Sequence, residues 1–148
     1  MMRYRRLTKE ELESLAEDFA IFLASNSIDK NEWDSLKRNS PLKAEELLDI
    51  FSDLVLEKAF KSGKYMERIS ETEIHCYCFH PQQAHLISLR NTVGDRKSFL
   101  HTSLSGYSTD ELELIQGTKP YTKSREEEMF AIMQTGANLS DGNLYQKL

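Results

Sequence analysis

The chain has 148 residues and a formal net charge of −5, with 39% hydrophobic and 29% charged residues. That balance is ordinary for a globular domain, and a chain of this length needs no metal or disulfide staple to fold. The acidic excess argues against nucleic acid as a partner, because phosphate binding needs a basic footprint. Two cysteines, Cys76 and Cys78, are too few for a disulfide framework and read as reduced cytosolic thiols.

From the N-terminus, Arg3, Arg5 and Arg6 form one basic cluster, expected to be a solvated, frayed start. No apolar stretch of a signal peptide follows, since Lys9, Glu10, Glu11 and Glu13 arrive at once. The longest apolar run, Phe19 to Ala24, is far short of the roughly 20 residues that span a bilayer, so a cytoplasmic protein with no membrane contact is expected. Thr8 and Glu11 form a capping box with Leu7 and Leu12 as its hydrophobic staple, and Leu15, Ala16, Phe19, Phe22 and Leu23 continue one helix to Ser25. Asp29 with Glu32 opens a second helix that closes at Asn39-Ser40. Ser40 caps a third, with Pro41 at its first position, an inner stripe of Leu47, Leu48, Phe51, Leu54 and Val55, and a stop near Gly63. Trp33, Phe19, Phe22, Phe51, Phe60 and Phe130 lie at stripe positions and read as core.

The period then changes to alternation. Tyr65–Ser70, Glu73–Phe79 and Ala84–Arg90 read as strands, and their short turns imply antiparallel neighbours. Between Asn91 and Gly106, Phe99-Leu100 and Leu104 form either a fourth strand or the pins of a long loop. Ser108 with Glu111 makes a capping box that predicts a helix ending at Gly117 and Pro120. Ser124 with Glu127 opens another helix that stops at Gly136, and Ser140 caps a short last one. The expectation is a single α+β domain over residues 1–148, helical over 7–62 and 108–148 with strands over 64–104. A small antiparallel sheet of three or four strands carries helices from both chain ends.

Catalytic signatures are absent: no Gly-x-Gly spacing, no His-Glu-x-x-His, no Gly-x-Ser-x-Gly. No catalytic residue and no bound cofactor is expected. Two clusters are candidate sites. Cys76, Cys78 and His80 alternate along one strand, with His85 on the next, a ligand set suited to zinc. Against zinc stand the unusual Cys-x-Cys spacing and Pro81, which bends the chain just after His80. The second is a polar cluster of Tyr121, Ser124, Arg125 and Asp141 around two helix starts, where the plainer reading is helix capping.

The stretches Arg3-Tyr4-Arg5-Arg6-Leu7-Thr8-Lys9-Glu10-Glu11-Leu12, Lys43-Ala44-Glu45-Glu46-Leu47-Leu48 with Phe51-Ser52-Asp53, and Lys123-Ser124-Arg125-Glu126-Glu127-Glu128 resemble an uncharacterised family of short bacterial proteins. Gly136 and Ser140-Asp141-Gly142 fit the same pattern. The resemblance implies a bacterial, cytosolic protein and supplies no activity. The leading expectation is a non-enzymatic interaction or regulatory module that binds itself or another protein, a homodimer across the sheet being one form. Its alternative is metal or small-molecule binding through Cys76, Cys78, His80 and His85.

Overall fold

The computed structural model describes residues 2–148, which form six helices and a five-stranded antiparallel sheet. They fall into two compact units, Met1–Ala59 and Phe60–Leu148. The division lies inside helix α4 (Pro41–Ser62), where no linker composition marks it. Among the described residues no helix is long and apolar enough to cross a membrane.

The first unit holds α1 (Lys9–Ser14), α2 (Ala16–Ser25), α3 (Lys30–Asn39) and most of α4. Both expected capping boxes form, Thr8 with Glu11 and Asp29 with Glu32. The single helix expected from Thr8 to Ser25 is broken, however. Leu15 leaves helical dihedrals (φ −109°, ψ 23°), and Ser14 turns its hydroxyl back onto the Glu11 carbonyl at 2.8 Å, a local bond that competes with helix propagation. Beyond α2, Ser27 takes the left-handed conformation (φ 61°), while the N–H of Ile28 reaches the Leu23 carbonyl and that of Ser27 reaches Ala24. This is a Schellman stop made without glycine. Phe19 meets Trp33 and Phe51 edge-on at 5.1 and 5.0 Å, joining α2, α3 and α4 in one aromatic core.

The N-terminal arginines are not a frayed start. Asp49, Asp53 and Glu57 recur every four residues on α4, and the chain before α1 runs along that acidic stripe. Arg3 pairs with Glu57 at 2.6 Å and Arg6 with Asp49 at 2.6 Å, while Asp53 accepts the backbone N–H groups of Arg3 and Tyr4. Tyr4 and Leu7 are buried, and Arg5 pairs with Glu11, the capping-box acid, whose carboxyl its hydrogen bonds help hold at about 2. The cluster's charge is thus matched by acids of its own unit.

The second unit is the sheet, ordered β4-β3-β2-β1-β5, with α5 (Arg125–Gln134) and α6 (Asn143–Lys147). The three expected strands appear within a residue or two as β1 (Tyr65–Ile69), β2 (Glu73–Phe79) and β3 (Gln83–Asn91). Two-residue alternation in β2 sends Ile74, Cys76 and Cys78 to one face and His75, Tyr77 and Phe79 to the other. The helix expected from Ser108 is instead a three-residue 3-10 turn, Thr109–Glu111, followed by β4 (Leu112–Pro120). The Ser108–Glu111 capping box is present, but it closes that turn and goes no further. No fourth strand forms between Asn91 and Gly106: after Asn91, the last residue of β3, residues 92–106 are a loop with two 3-10 turns, pinned by the buried Asn91, whose amide reaches the carbonyls of Gly94 and Lys97. Asn138–Ser140 is the short β5, paired with β1, so Ser140 ends a strand and does not cap α6. The sheet therefore has five strands where three or four were expected. Both faces carry packing within the unit over β2 and β3, while β4 stays exposed. Leu144, Tyr145, Phe99 and Leu104 join Ile74, Cys76 and Leu89 on one face, and α5 lies against the other.

Candidate functional site

The Cys/His candidates sit on the α6 face. Cys76 and Cys78 are buried side by side on β2, and His85 lies directly across from Cys78 on β3. The Tyr145 hydroxyl lies 2.5 Å from His85 Nδ1 and also hydrogen-bonds Cys78, so an α6 side chain seals the pair. Burial, with the Glu67 charge adding to it, pushes the Cys76 thiol up to about 12, and burial also raises Cys78 against the pull of Lys64 and Arg125. Both thiols are therefore in the protonated form that packs, whereas a ligand or nucleophile is the thiolate. His80 is apart from them: β2 ends at Phe79, and His80 opens the hairpin by donating its N–H to the Gln83 carbonyl. Among the described residues no group of three or more His, Cys, Asp or Glu side chains is placed to hold a metal ion.

The C-terminal candidates separate in the same way. Ser124 caps α5, accepting the Glu127 N–H. Arg125 donates to the carbonyls of Phe60 (2.8 Å), Gly63 (2.6 Å) and Phe79 (3.2 Å). It thereby ties together the end of α4, the turn beyond it and the end of β2. Tyr121 donates its hydroxyl to the His80 carbonyl at 2.7 Å, fixing the chain that leaves β4 against the β2–β3 hairpin. Asp141 accepts the backbone and side-chain N–H groups of Asn143, both at 2.9 Å, and so serves its own turn.

Two features that residue spacing did not single out remain. One is a cavity of about 280 Å³ between α5 and its sheet face, walled by Tyr77, Phe79, Ala84, Leu86 and Ile132. Glu128, 4% exposed, stands in its wall and accepts from Thr122 N–H (2.9 Å), Thr122 hydroxyl (3.2 Å), Lys123 N–H (3.2 Å) and Lys119 Nζ (3.0 Å). Burial pushes its carboxyl up, but these donors outweigh it and hold the group at about 2. Relative to an unfolded carboxyl near 4.5, such a group stabilises the fold above that value, and the contribution disappears as pH falls from 4.5 towards 2. Glu128→Gln is expected to cost about 2 kcal/mol near neutral pH, the worth of charge-assisted hydrogen bonds to a buried acceptor. Urea titrations at falling pH should show the wild type and the variant converging below pH 4.5; parallel curves would remove the charge from the account.

The second feature is β4 itself. It is the edge strand, nine residues long, and every position after Leu112 is exposed, including Leu114 at 50% and Ile115 at 53%. Thr92 N–H donates to the Glu111 carbonyl and Tyr121 N–H to Gln82, which sets the phase of the β3–β4 ladder. Glu113, Ile115, Gly117 and Lys119 thus bond to β3, while the N–H and C=O groups of Leu114, Gln116 and Thr118 point away from the sheet. The opposite edge, β5, has only three residues. Nothing in the strand spacing announces this edge, because strand order is a property of the folded sheet.

No curated protein and no solved structure matches the chain. The family resemblance carried by the capped helices at both ends extends through the sheet between them. The sequence matches the family of unknown function DUF6495 over residues 2–148, and the chain belongs to that family.

Proposed function

We propose that this chain is a non-enzymatic interaction module that works by strand addition, and that the strand added to β4 is the β4 of a second copy. The observation that supports this is the free backbone edge of Leu114, Gln116 and Thr118 on an exposed nine-residue strand. Proteins usually shorten, charge or cover such an edge, because unpaired N–H and C=O groups recruit another strand. Here β5 is short, whereas β4 keeps its length and presents Leu114 and Ile115 to solvent. A second copy satisfies those backbone groups and shields both side chains.

Gln116→Pro tests the reading. The substitution deletes an N–H that points away from β3, so the β3–β4 ladder stays intact and an edge strand tolerates proline there. Sedimentation over a dilution series should show a wild-type dimer and, for Gln116→Pro, a dissociation constant raised by about tenfold or more at unchanged circular dichroism. A wild type that stays monomeric at the highest concentration, or a proline variant that dimerises as well as the wild type, would overturn it.

A further inference from the structure

Resting on that reading, we propose one register for the pair. The two-fold axis passes through Gln116, and Ile115 of each copy lies over Gly117 of the other, closing the mouth of the α5-side cavity. Both copies turn their even-numbered β4 residues outward, so an antiparallel self-pairing must match even with even positions. Gln116 is the midpoint of Leu112–Pro120, and only pairing about it matches the whole strand with itself. Pro120, which has no N–H to offer, then falls at the end of the ladder opposite Leu112.

Side chains favour the same choice. In this register Glu113 faces Lys119 of the other copy, at both ends of the ladder. Glu113 is already beside Arg90 at 2.7 Å and Lys119 beside Glu128 at 3.0 Å, so charges alternate in sign across the joined sheets. Gly117, which lines the cavity, is the one β4 position without a side chain, and a Cβ built there meets no atom within 4 Å. Directly across from that gap the register sets Ile115, whose own copy leaves it 53% exposed. A cross-strand side chain lying over a strand glycine both covers backbone and supplies apolar contact. Pairing about Ile115 instead would stack the two isoleucines and leave Glu113 facing Gly117.

Single cysteines read the register. Gln116→Cys is expected to give a disulfide-linked dimer on mild oxidation, because a hydrogen-bonded antiparallel pair sets its Cα atoms about 5.5 Å apart, within disulfide range. Ile115→Cys should cross-link poorly, and the buried Cys76 and Cys78 should not contribute. Gly117→Val is the second probe. It adds a side chain where space is open on the monomer, so thermal stability should hold, while the dimer's dissociation constant should rise by about tenfold from two clashes with Ile115. A native-mass dimer that cross-links through Ile115→Cys and not Gln116→Cys, or a Gly117→Val dimer as tight as wild type, overturns the register and leaves strand addition standing. A wild type that is monomeric overturns both.

Discussion

Arg125→Ala is expected to destabilise the protein by about 3 kcal/mol, a large change for one partly exposed side chain. Arg125 stands at the first position of α5, where the helix dipole alone favours an acid. The guanidinium is there because three carbonyls, those of Phe60, Gly63 and Phe79, converge on it from the end of α4, the turn beyond it and the end of β2. A planar fork reaches several acceptors at once, and truncation leaves them without a charged donor. Arg125→Lys, a point charge on a flexible stem, should recover less than half of the loss. Chemical denaturation of the three proteins measures this directly; an alanine variant within about 0.5 kcal/mol of wild type would mean that water replaces the clamp at no cost.

Gly142→Ala is expected to cost about 2–4 kcal/mol, from a left-handed backbone that alanine resists and a ring that must move. Gly142 has φ +84°, and a Cβ there would lie 2.5–2.8 Å from three atoms of the Tyr65 ring. That ring cannot yield freely, because Tyr145 packs on it at 5.5 Å and anchors α6 through His85. Gly117→Ala is the matched control, with ordinary φ and open space, and should be neutral within about 0.5 kcal/mol. Urea midpoints of both variants test the pair. Equal midpoints would show that the α6 turn relaxes without loss.

Much of this fold was legible because its signals are local. Thr8, Asp29 and Ser124 each act on the backbone within three residues, and all three caps form as their spacing dictates. The β2 alternation likewise places Cys76 and Cys78 on one face. The misread segment shows the limit of local grammar. Ser108 and Glu111 make a true capping box, yet pairing of Leu112–Pro120 along the whole of β3 outweighs the helix start. β5 was invisible since three residues are too few to show any period. Arg3 and Arg6 look solvent-facing from local sequence because their acidic partners lie some 40–55 residues away on α4. The cavity and the free edge depend on which strands become neighbours, and that order is not written in any one segment.

The unequal ends of the sheet also fix how large an assembly it can form. A sheet with two long open sides adds copy to copy without limit, as fibrils do. Here one side ends in the three residues of β5, and the other is β4. When β4 meets its own image, the contact is isologous and uses the same surface on both partners. In the proposed pair the outer margins of a ten-stranded sheet would be two copies of the short β5, so growth would stop at two. On that reading concentration would set how much of the pair forms, and the short β5 margins would cap its size at two copies.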